Sequence, residues 1–200
     1  MTQWFSEYWQ YALVFVGVCI VAVVVFFFAL RARSRHMKNF RQQENEIKRL
    51  TALKNKYIPL TAEKIEQGDE TEILEAAALV YQIRFEKSEY PEGEYKKLTD
   101  IQKNIYALDV FTSDKTVTEF FTLNDTMLRS RLYPALEMIG FNEAMDKFRA
   151  VNDMYDENNE NVSLDKEKLT ELDEIIEKED ILRKIKLGAA KYIKSNLELL

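Results

Sequence analysis

Cysteine, histidine, proline and glycine are all scarce in this 200-residue chain, and each shortage excludes something. The single cysteine, Cys19, rules out a disulfide within one chain and leaves no mark of an oxidising compartment. The single histidine, His36, leaves too few ligands for a His/Cys metal centre and no partner for a Ser/His or Cys/His nucleophile. Neither G-x-x-x-x-G-K-[ST] nor G-x-G-x-x-G occurs, so no phosphate-cradling loop is announced. Five glycines and three prolines provide few tight turns, which favours long helices. No convincing stretch alternates with the two-residue period of a strand. Carboxylates are the only catalytic groups left, and no pair of them stands in an apolar setting. The expectation is a protein without enzymatic activity and without a cofactor.

Hydrophobic residues, in contrast, are concentrated. Tyr11 to Leu30 reads YALVFVGVCIVAVVVFFFAL, twenty residues without charge or proline. As a helix it reaches about 30 Å, the thickness of a bilayer's hydrocarbon core. Backbone amides find no water in lipid, so such a span must be helical. A buried helix of a soluble protein is the competing reading, but core helices rarely run so long without a polar residue. The sequence therefore predicts a single transmembrane helix over 11–30. Cys19 within it reads as a small packing residue.

Charge is divided along the chain. Residues 1–30 hold one acid and no base, and residues 31–56 hold nine bases and two acids. Residues 57–200 hold nineteen bases and thirty-one acids, within a total net charge of −6. Arg31, Arg33, Arg35, Lys38 and Arg41 follow the span directly, which places the C-terminal side in the cytoplasm and the N-terminus outside. Trp4 and Trp9, with Phe5 and Tyr8, form an aromatic belt at the other end; packing on a partner subunit is the alternative for residues 1–10. A cleavable signal peptide fits poorly, because the first ten residues carry no base and the apolar run is too long.

Four segments result: an extracytoplasmic aromatic stretch over 1–10, the span over 11–30, a basic juxtamembrane helix over 31–58, and an acidic helical domain over 59–200. In the third, Phe40, Ile47, Leu50, Leu53 and Tyr57 make a narrow stripe close to heptad spacing. Two readings stay open for it: a stalk that pairs with another helix, and a helix packed on its own domain. Pro59 ends that helix. Thr61–Gln67 predicts a turn or two of helix, 70–87 a buried helix with Ala76–Ala78 permitting close approach, and Pro91 with Gly93 a loop. Thr99 and Gln102 form a capping-box pattern, and Gly140 is a natural helix terminator. Pro134 predicts a kink or a fresh start, Asn124-Asp125 and Asn142 are candidate caps, and Ser163 and Asp180 open the last two helices. The expected domain is an all-α bundle of six to eight helices.

One loop carries metal-ligand spacing. Asp156, Asn158, Glu160, the Val162 carbonyl and Glu167 stand at offsets 1, 3, 5, 7 and 12 of a calcium loop. Asn161 occupies the glycine position and Ser163 the usual hydrophobic one, so a solvated interhelical loop is the plainer reading.

Within residues 101–155, Ile105-Tyr106 and Leu108-Asp109-Val110 are followed by Phe120-Phe121, then by Ala135-Leu136-Glu137-Met138-Ile139-Gly140 and Ala144. This order resembles a family of acidic all-helical bacterial proteins that includes a DNA mimic, although Phe111 to Thr116 replaces that family's Asn-Gly-Gly element. The resemblance implies a compact helical fold and an acidic protein-binding role, and it assigns no functional residue.

The sequence thus leads to a single-pass inner-membrane accessory or scaffold subunit. Its partners would be membrane lipid and another protein, either a membrane complex or a basic soluble protein, with no direct nucleic-acid contact and with oligomerisation open. Trp4, Trp9, Arg31, Arg33 and Arg35 would place it in the membrane. The alternative is an acidic DNA-mimic-like regulator that sequesters a basic nucleic-acid-binding protein.

Overall fold

The computed structural model describes residues 43–114, 116–123, 126–154 and 164–199. All regular structure among them is helical, without a strand. The chain divides into two compact units, Met1–Ala52 and Leu53–Leu200. The predicted span over 11–30 lies outside the described residues; among those described, no helix is long and apolar enough to cross a membrane.

In the first unit, residues 43–52 belong to α1 (43–57). They are exposed apart from Leu50 and are laced by Lys48–Glu44 and Arg49–Glu46 pairs, both at 2.6 Å.

The second unit begins with the last turn of α1, which stops two residues before Pro59, as the restriction on pre-proline residues requires. Then come α2 (Ala62–Glu66), α3 (Ile73–Glu86), α4 (Pro91–Lys96) and α5 (Asp100–Ser113). They are followed by α6 (Val117–Leu123), α7 (Thr126–Met138), α8 (Met145–Asn152), α9 (Lys166–Lys178) and α10 (Ile181–Ser195). Nine helices from α2 to α10 exceed the expected six to eight. One extra is α4, where Pro91 and Gly93 had predicted a loop. Pro91 instead occupies the first helical turn, where its missing N–H costs nothing.

Helix α5 is the centre, packed against α3, α7 and α10. Its start is set by the expected capping box: the Gln102 N–H donates to Thr99 Oγ1, and the Thr99 N–H to Gln102 Oε1. Ile105, Ala107, Leu108 and Phe111 on α5 are fully buried, and Phe111 meets Phe120 and Phe148 edge-on at 5.2 and 5.8 Å. Helix α3 serves two apolar clusters. Leu74, Ala77 and Tyr81 join the main core, while Ala76 and Leu79 pack with Leu53 and Tyr57 of α1.

Helix α7 runs through Pro134, whose exposed position lets one backbone bond lapse without breaking the element. It ends at Gly140, φ +67°, where the Phe141 N–H reaches the Leu136 carbonyl and the Gly140 N–H the Glu137 carbonyl. Two expected caps are replaced. Ala144, in a left-handed conformation, precedes α8 in place of Asn142, and Asp165 caps α9 by accepting from the Glu167 and Lys168 N–H groups. Ser163 and Asn124-Asp125 fall outside the described residues.

Candidate interaction site

The residues that sequence reasoning assigned to partner association have different fates. Ile47 is 65% exposed and Leu50 half-buried, whereas Leu53 and Tyr57 are buried at 5% and 0%. Phe40, Trp4, Trp9, Arg31, Arg33 and Arg35 lie outside the described residues. The C-terminal end of the stripe is thus consumed inside the second unit.

Tyr57 is fastened there by polar contacts as well. Its hydroxyl donates to Glu72 Oε2 and accepts from the Asp69 N–H, both at 3.0 Å. Glu72 Oε2 also accepts a hydrogen bond from Lys56 Nζ at 2.6 Å, and this carboxylate holds the Lys56 ammonium above its ordinary pKa. Gly68 lies so close that a Cβ would stand 2.8 Å from both the Tyr57 ring and the Lys64 carbonyl. Nothing in the local spacing announced this latch, because it joins residues eleven to sixteen positions apart.

A groove of about 400 Å³ opens on the surface of the second unit. Phe85 from the end of α3, Tyr95 from α4 and Tyr106 from α5 form its aromatic floor. The three rings contact one another at 5.4 to 6.3 Å, two of the pairs edge-on. Pro91 and Glu92 of α4 make one wall, and Met127 and Leu128 of α7 the other. Leu123, the last residue of α6, stands at the margin with 76% of its surface exposed. Near it, Arg129 donates from Nη1 to the Phe121 carbonyl at 3.1 Å. Tyr90, 62% exposed, immediately precedes Pro91 and lays its ring over Gly93. Two of the four large exposed apolar side chains among the described residues therefore belong to this groove or its approach.

Charges of both signs surround the groove, and Lys103 Nζ stands 5.9 Å from the centre of the Tyr95 ring. Glu94 is held by Lys97 at 2.6 Å and faces Arg84 at 4.0 Å. Glu86, Glu89 and Glu92 are exposed and meet no cation among the described residues. This site was not legible in the sequence. Its only local signals were Tyr90-Pro91 before a short helix and a leucine at the end of α6.

Two further hollows differ in character. One, also about 400 Å³, is lined by Ile58, Pro59, Leu60, Ala77, Val80 and Tyr81. Burial there pushes the Tyr81 phenol up to about 12. The other holds Thr116, Asp173, Ile176, Glu177 and Asp180. Its Asp173 is already engaged: it accepts from the Val117 N–H and from Thr118 Oγ1, so it caps α6 from a distant helix.

No cluster of His, Cys, Asp or Glu among the described residues could hold a metal ion. Of the proposed calcium loop, Asp156, Asn158, Glu160 and Val162 lie outside those residues; Glu167 is exposed in the first turn of α9.

No family model matches this chain, nor does any curated protein or solved structure. Function must be argued from the chemistry of the chain itself.

Proposed function

We propose that the protein is a single-pass, membrane-anchored interaction subunit that tethers a partner at the cytoplasmic face of the cell membrane. The observation that carries this reading is the uncharged run Tyr11–Leu30 followed by five cations between Arg31 and Arg41. Anchoring converts a modest contact into one made at high effective concentration, so the helical domain needs no catalytic group. The open aromatic groove supports the reading by supplying a surface suited to a partner.

The alternative, an acidic regulator in the manner of a DNA mimic, asks for free carboxylates in phosphate-like rows. Glu70, Glu72, Glu94, Glu143 and Glu171 each pair with a lysine, which favours the tether.

Alkaline extraction of native membranes tests the proposal. The full chain is expected to stay with the bilayer, and in inside-out vesicles its C-terminal domain should be open to added protease. Release into the alkaline supernatant, or digestion only in right-side-out preparations, would remove the tether.

A further inference from the structure

We draw no further inference here: the strongest candidate, the apolar hollow that Ile58, Pro59 and Leu60 form against Val80 and Tyr81 of α3, is an unpartnered apolar face, and nothing in the structure shows what covers it.

Discussion

Tyr57 combines full burial with two hydrogen bonds, so its phenol carries more than its size suggests. Tyr57→Phe keeps the ring and strands the Asp69 N–H, and it should lower unfolding free energy by about 1–2 kcal/mol. Gly68→Ala drives a methyl group into the same ring and a backbone carbonyl, with an expected cost of about 1–3 kcal/mol. The double variant should cost less than the sum, because both changes loosen one contact. Urea unfolding of the three variants checks this; strict additivity would mean that the two residues act separately. Tyr81 makes a pH prediction. Its pKa is pushed up to about 12 in the fold, against about 10 in an unfolded chain. Below about pH 10 the phenol is neutral in both states and its contribution is intact. From there to about pH 12 the unfolded chain loses its proton first, so stability falls as pH rises. Tyr81→Phe should flatten that part of the stability profile; an unchanged alkaline slope would place the loss elsewhere.

Helix ends were the most legible elements, because their chemistry is local. Thr99-x-x-Gln102 and Gly140 could be read directly, and both do what their residue types dictate. Thr99→Ala should destabilise by about 1 kcal/mol through loss of the cap. Gly140→Ala should cost a similar ~1 kcal/mol, for a different reason. A Cβ there would meet nothing within 4 Å, so only the left-handed backbone opposes it. Thermal melts of the two variants, with an unchanged Gly140→Ala midpoint as the contrary result, decide the point. Elements that depend on distant partners were harder. Proline and glycine punctuate chains in both ways, so Pro91 with Gly93 reads as a loop from sequence, whereas Pro91 opens the short helix α4, packed against α3. Asn142 is available as a cap on side-chain grounds, yet Ala144, in a left-handed turn, stands at the start of α8.

For the whole molecule, composition was enough to predict an all-α domain, since scarce glycine and proline and the helical period leave little else. The groove was not legible. Phe85, Tyr106 and Leu123 come from three helices, and no spacing rule joins them. The Phe40–Tyr57 stripe could be seen, but a stripe does not reveal what covers it; Leu53 and Tyr57 are claimed by the domain, and Ile47 is not. Surface ion pairs matter little at this scale. Lys194 reaches Glu70 across 124 residues at 3.3 Å, and Lys194→Ala should still cost no more than about 1 kcal/mol in a denaturant titration.

Helix α3 meets one apolar cluster through Ala77 and another through Ala76, back to back on a single narrow rod. Neither side can be widened without pushing the other. The final turn before Pro59 and the bundle behind it should therefore melt as one event, and the amides of α3 should be among the last to surrender their protons to deuterated solvent.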